Sequence, residues 1–311
     1  VRDTMKEKRE PVCPVCGSAA TSFKYRIERH NFSVHACASC GSQFQHPMPR
    51  SVKNLYAEGY YTGTAAFSYQ DERRAERYHD FVHQARLRTI RKFITGPAAT
   101  KLKFLDIGCA FGAFVRAAAQ HGEAYGLDIS TYAVKDGNRI SHALASPAQL
   151  FAGDLSHLPA DKKAKKIFTS GTFSAITLIE VAEHLRAPRI DLAKAFSLLK
   201  PGGVLVIQTA NFAGLQAVRS GAAYHYYLPG HLVYYTAQGL KELLRNIGFT
   251  DFFEFTPTDF PLTAKWRKAW GDVKKISDLK RFWNMSLYHW KSRLSFRGRP
   301  LTSSYVLYAR K

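Results

Sequence analysis

From Lys103 to Gly122 the chain reads KFLDIGCAFGAFVRAAAQHG: an apolar strand, a glycine-bearing loop and an alanine-rich helix in immediate succession. Gly108 and Gly112 let the backbone turn tightly and come close to a ligand at the positive end of that helix, predicted over Gly112 to His121. Strand and helix patterns keep alternating downstream. Ala124 to Asp128 reads as a strand, a helix starts near Thr131, apolar runs follow at Ser174 to Ile179 and Val204 to Thr209, and Gly248 stops a helix over Thr236 to Ile247. This rhythm predicts βαβ units on a parallel sheet. Alternating strands at Phe252 to Phe255 and Tyr305 to Tyr308 would complete its edge, and the stretch between them is too long for a hairpin turn. Upstream, Tyr78, Val82, Ala85, Thr89 and Phe93 fall at helical spacing, predicting a long helix over Asp71 to Ile94 closed by Gly96 and Pro97.

The strand after the glycine loop ends YGLDIS, placing Asp128 to accept hydrogen bonds from ribose hydroxyls. On that evidence NAD and S-adenosylmethionine fit equally well. The stretches LDIGCAFG, GLDIS, AGDLSHLP, ITLIEVAEHL, LLKPGGVLVIQTAN and PGHLVYYTAQGLKELLRNIGF fall in the order and spacing of class I S-adenosylmethionine-dependent methyltransferases, and the resemblance spans roughly Lys103 to Arg310. Because a CPxCG and CxxCG pair precedes it, the chain looks most like a bacterial group in which a zinc ribbon precedes the methyltransferase and whose members often modify sugars or other small metabolites.

The resemblance implies an α/β fold, a Rossmann-like seven-stranded sheet with helices on both faces, preceded by a small zinc ribbon. It divides the chain into a ribbon at 1–50, a helical linker or lid at 51–100 and a methyltransferase domain at 101–311 with a basic, Trp-rich insertion at about 257–300. By position, Asp106, Gly108, Ala110 and Gly112 become the methionine-side loop. Asp128 holds the ribose with Ile129 beside it, Asp154 and Leu155 face the adenine, and Ile179 and Glu180 border the methyl group. Two residues depart from the family pattern: Ala110 stands for the middle glycine of GxGxG, and Ser174 for an Asp common at the start of the fourth strand. Asp106 also has a plain alternative role as a brace for the loop.

Cys13, Cys16, Cys37 and Cys40 form two CxxC pairs, each followed by glycine, around an alternating stretch that reads as a β-hairpin. Four thiolates meet the tetrahedral preference of Zn²⁺ and leave no open position, so the expected role is structural. A disulfide or redox pair is the alternative. No run is apolar enough to span a membrane and the start is charged, so the expectation is a cytoplasmic protein, neither secreted nor membrane-spanning.

Methyl transfer needs an aligned nucleophile and, for a hydroxyl, a proton acceptor. His184, just past the fourth strand, and His231, beside Tyr224, Tyr226 and Tyr227, are the catalytic candidates, against a purely structural role as loop hydrogen-bonders. The sequence shows no clustered carboxylates beyond the cofactor loops, which argues against metal-assisted transfer.

The predicted function is methyl transfer from S-adenosylmethionine to a small-molecule, sugar or glycan acceptor, lipid-linked ones included. The alternative is an rRNA or tRNA methyltransferase: 45 Lys and Arg against 24 Asp and Glu give a net charge of +21, which favours phosphates, nucleic acid or acidic lipid. Against RNA, IEVAEHL lacks the Asn-Pro-Pro-aromatic motif of enzymes that methylate base amino groups, and Cys109 is misplaced for a base-attacking thiol. A degenerate binding scaffold is suggested only by Ala110. The sequence assigns no oligomeric state.

Much of the charge lies in Pro257 to Lys311, which also holds Trp266, Trp270, Trp283 and Trp290. With Val273, Ile276, Leu279, Leu287 and Leu294 these recur at helical spacing, predicting an apolar face opposite a basic one. Two readings follow: a helix that covers the domain, or a surface that docks peripherally on an anionic membrane at the inner face.

Overall fold

The computed structural model describes residues 11–49, 52–64, 71, 73, 76–270, 273 and 278–311. Strands β1 (Thr21–Ile27), β2 (Phe32–Cys37) and β3 (Gln43–His46) form an antiparallel meander that carries the paired cysteines at its ends. The helix Glu76–Phe93 follows, beginning later than the sequence pattern suggests; residues 72, 74 and 75 lie outside the described ones.

The main sheet contains β4 (Lys103–Ile107), β5 (Glu123–Asp128), β6 (Gln149–Ala152), β7 (Phe173–Ile179), β8 (Leu199–Ala210), β10 (Asp251–Phe255) and β13 (Ser304–Arg310). Between β8 and β10 lies the two-residue β9 (Val233–Tyr234), and before β13 the small hairpin of β11 (Ser295–Phe296) and β12 (Arg299–Pro300). The seven strands run in the order β10-β13-β8-β7-β4-β5-β6. All neighbours from β8 to β6 are parallel, and β13 is antiparallel to both β8 and β10. The four-residue β6 gave no alternation to read and is located only by its pairing with β5.

Alternation of side chains across the strands divides the core in two. Leu105, Ile107, Leu205 and Ile207 face one side with Leu192, Leu198, Leu240 and Leu244 from the helices Pro188–Leu198 and Ala237–Ile247. Phe104, Val204, Val206 and Tyr308 face the other, against Leu87, Ile90, Val115 and Ala118. Since β5 and β6 lie to one side of β4 while β7 and β8 lie to the other, the crevice for ligands opens at the carboxyl ends of β4 and β7.

Past β10 the chain folds into two helices, Leu262–Trp270 and Leu279–Lys291. Ile276 lies outside the described residues. The described members of the apolar stripe fall on both helices, and the outer ones stay in solvent: Trp270 is 62% exposed, Trp283 71% and Trp290 59%. The inner side is held by Phe260 and Ala264 against Val82 and Ala85, and by a buried Arg86–Asp259 ion pair at 2.9 Å.

Candidate active site

The cofactor half grows from the β4 and β5 ends. The loop holds positive φ at Gly108, Ala110 and Gly112, and a Cβ on Gly108 would come within 2.4 Å of Val181. Ala110 has φ 46°, a strained region for alanine at a cost of about 1 to 2 kcal/mol. The loop keeps it because the Ala110 N–H donates to Asp128 Oδ2 at 2.8 Å, tying the glycine loop to the ribose candidate. Asp128 Oδ1 accepts from the Ser130 N–H at 2.8 Å and the Tyr61 hydroxyl at 3.1 Å. Burial raises its pKa, and these three donors pull it back. Asp106 is buried and accepts from the Thr177 hydroxyl at 2.5 Å, an arrangement suited to bracing the loop. Ile129 is half-buried beside Asp128, and Ile179 is half-buried where β7 ends. Asp154 is partly exposed after β6 and accepts from the His157 N–H at 2.6 Å, whereas the Leu155 side chain is packed in the core. Cys109 is buried, and its thiol is held well above its usual pKa by that burial and by the nearby Asp128 and Asp106.

A cover missed at the residue level lies over this loop. Tyr56, Tyr60 and Tyr61 pack with Phe111, Ala133 and Tyr132, and the Arg73 guanidinium sits 4.3 Å from the Phe111 ring centre. The aromatic run LYAEGYY was the available signal.

The acceptor half is assembled from distant segments. Glu180 takes φ 56° at the end of β7, is open to solvent at a cleft mouth, and accepts from Gln208 Nε2 at 2.8 Å and from the Tyr226 hydroxyl. Its desolvation within the surrounding protein, then repulsion from Glu183, push its pKa up to about 7. Glu183, which the sequence reading passed over, is 1% exposed and accepts from the hydroxyls of Thr209 at 2.9 Å and Tyr226 at 2.8 Å. The expectation of no clustered carboxylates is thereby corrected: one helical turn after β7 folds Glu183 back beside Glu180. The same turn brings His184 to His231, ring centres 4.8 Å apart. His231 is nearly buried, and burial followed by the His184 charge lowers its pKa to about 3, so it stays neutral near pH 7. Next to these groups a cleft of about 300 Å³ is lined by Glu180, Gln208, Tyr224, Tyr226, Tyr288 and Tyr305 among others.

A glycine loop at a sheet switch point, a buried acid ending the second strand and further acids after the third and fourth suit the methionine, ribose and adenine parts of S-adenosylmethionine. The family described as methyltransferase domain matches residues 71–252. The chain belongs to that family. Among curated relatives, ubiquinone biosynthesis O-methyltransferase of Pseudomonas aeruginosa is 30% identical over 182 residues, 57% of this chain and 67% of its own. The enzyme of the same description from Psychrobacter arcticus is 34% identical over 110 residues, 35% of this chain and only 41% of the relative's length. A phosphoethanolamine N-methyltransferase 2 from Haemonchus contortus, solved with S-adenosylhomocysteine and phosphomonomethylethanolamine, shares the fold at TM-score 0.56 and 18% identity, covering 86% of this chain and 62% of that one. The chain thus carries a methyltransferase domain over residues 71–252.

In this chain the ribbon is part of the acceptor half. The shortest sulfur separations are 3.5 Å for Cys16–Cys37 and 3.8 Å for Cys13–Cys40, far longer than a disulfide and near the roughly 3.8 Å edge of a tetrahedral zinc thiolate site. All four sulfurs lie within 4.8 Å of one another. Strand β3 pairs with β9, placing Gln43 opposite Tyr234, and the Tyr227 hydroxyl donates to Gln43 at 2.6 Å. The Arg29 guanidinium donates to the carbonyls of Ala223, Tyr224 and Tyr227. The loop bearing Tyr226 and His231 is therefore held in shape by the ribbon.

Proposed function

We propose that the methyltransferase acts on a small hydroxylated acceptor, of the sugar or small-metabolite kind, bound in the cleft beside Glu180. The observation that carries this reading is the cleft's lining, which offers tyrosine hydroxyls, an amide and a carboxylate in a volume of about 300 Å³. The O-methyltransferase relatives point the same way. Bound S-adenosylmethionine supplies an electrophilic methyl group; Asp128, the 108–112 loop and Asp154 would hold it, while Glu180 and Tyr226 orient the acceptor oxygen. Four cysteines would hold one structural Zn²⁺. Incubation with S-adenosylmethionine and either a panel of sugars, sugar nucleotides and phenols or tRNA and rRNA transcripts tests the reading. S-adenosylhomocysteine should accumulate with a small acceptor; methylation confined to RNA would overturn it.

The tail supports a peripheral site on acidic lipid, because Trp266, Trp270, Trp283 and Trp290 are exposed on two helices rich in Lys and Arg. Among the described residues no helix is long and apolar enough to cross a membrane. Flotation with phosphatidylglycerol vesicles should carry the protein and fail for Trp283→Ala with Trp290→Ala; no flotation of the wild type at low salt would end this idea.

A further inference from the structure

Glu183, His184 and His231 each bring one donor atom within 4.8 Å of the other two, and Glu183 and His231 both contact Tyr226 of the cleft lining. Both rings are fixed through Nδ1. His184 Nδ1 lies 2.8 Å from the Gly230 carbonyl and His231 Nδ1 lies 2.7 Å from the Tyr226 carbonyl. A carbonyl only accepts, so His231 Nδ1 carries the hydrogen and its Nε2 keeps the lone pair, while His184 Nδ1 also meets the Tyr56 hydroxyl at 2.7 Å, a group able to donate as well as accept. Backbone carbonyls set ligating histidines in the same way at metal sites, fixing tautomer and ring direction together.

The charge balance points in the same direction. Glu183 is buried and accepts from the neutral hydroxyls of Thr209 and Tyr226. Tyr226 has one hydroxyl hydrogen, yet both Glu183 and Glu180 are within its reach, so it serves one carboxylate at a time. Among the described residues, neither glutamate takes part in a salt bridge with Lys or Arg. Two carboxylates contesting one hydrogen without a basic side chain are relieved either by a shared proton or by a cation that joins them.

We propose that Glu183, His184 and His231 bind a divalent cation beside Tyr226 of the cleft lining, with Glu180 at its edge. Two imidazoles and a carboxylate, with no thiolate, suit a borderline or hard ion such as Mn²⁺ rather than a thiophilic one. Three protein ligands leave coordination positions open, which Glu180 from the cleft lining or two neighbouring oxygens of one acceptor would fill. This assignment rests on the small-molecule reading only for what fills those positions. The site is separate from the cysteine cluster in ligands and in place.

The test uses the zinc-replete full chain and Mn²⁺ as probe, read by loss of the free-ion electron paramagnetic resonance signal. One Mn²⁺ should bind per chain, and His231→Asn and Glu183→Gln should each weaken it by about 10-fold or more. Their melting temperatures and S-adenosylmethionine affinities, measured on the same samples, tell ligand loss from misfolding. No Mn²⁺ binding by the wild type would overturn the site, as would unchanged binding in folded variants. Either result leaves the acceptor reading standing, because that reading is judged by S-adenosylhomocysteine release and not by metal.

Discussion

The two halves of the cleft are built in opposite ways. Gly108, Ala110, Gly112 and Asp128 come from one strand-loop-helix-strand run and are joined within it by the Ala110 to Asp128 hydrogen bond. The acceptor half draws Glu180, Glu183 and His184 from the end of β7 and the turn after it, Gln208 and Thr209 from β8, Tyr224, Tyr226 and His231 from a later loop, and Tyr288 and Tyr305 from the tail. Its loop is shaped by the ribbon. Its far wall touches the tail, since Asp259 binds Arg86, Arg86 reaches Gln208, and Gln208 holds Glu180. The cofactor half should therefore tolerate distant changes that ruin the acceptor half.

The largest effect expected from this contrast follows loss of the Zn²⁺ proposed for the four cysteines. Cys37→Ser, or stripping zinc with a chelator, removes the folding free energy of the meander. β9 then loses its partner and Tyr226 and His231 lose their frame, so turnover should fall by about 100-fold or more while S-adenosylmethionine affinity changes by about threefold at most. Asp128→Ala should do the reverse. It deletes an acceptor of charge-assisted hydrogen bonds, each worth about 1.5 to 3 kcal/mol, and should weaken S-adenosylmethionine binding by roughly 100-fold with the acceptor loop intact. Calorimetry and turnover on both variants check the pair; equal loss of cofactor affinity in Cys37→Ser would show that the halves are not independent.

This division also accounts for what was legible in the sequence. The parallel sheet, its glycine loop and Asp128 were readable because their determinants are local: apolar runs, glycines at turns, an acid at a strand end. Cys13 to Cys40 were readable because two CxxC pairs fix their own geometry. Glu183 was not, since only the turn at Ala182–His184 and the later loop place it beside Tyr226. The tail's periodicity was visible, but its division into the helices Leu262–Trp270 and Leu279–Lys291 and the exposure of Trp270, Trp283 and Trp290 were not. Tyr61 was hidden for the same reason: nothing nearby in sequence announces its bond to Asp128.

That bond sets the smallest effect. Tyr61 donates to Asp128 Oδ1, the oxygen already shared with Ser130, while Oδ2 serves Ala110. A carboxylate offers roughly four acceptor directions, so a ribose diol that bonds to Asp128 competes with the tyrosine for one of them. The Tyr61 ring stays packed on Phe111, centroids 5.6 Å apart, when only the hydroxyl is removed. Tyr61→Phe should therefore tighten S-adenosylmethionine by about threefold above neutral pH, part of the value of one hydrogen bond. The pH dependence fixes the sign. Burial raises the Asp128 pKa and Tyr61 lowers it, so the variant's Asp128 takes up a proton at higher pH and its affinity should fail sooner on acidification. Tighter binding at alkaline pH with an upshifted acid limb is the expected calorimetric pattern. Weaker binding at alkaline pH would mean that the hydroxyl contacts the bound cofactor instead of competing with it.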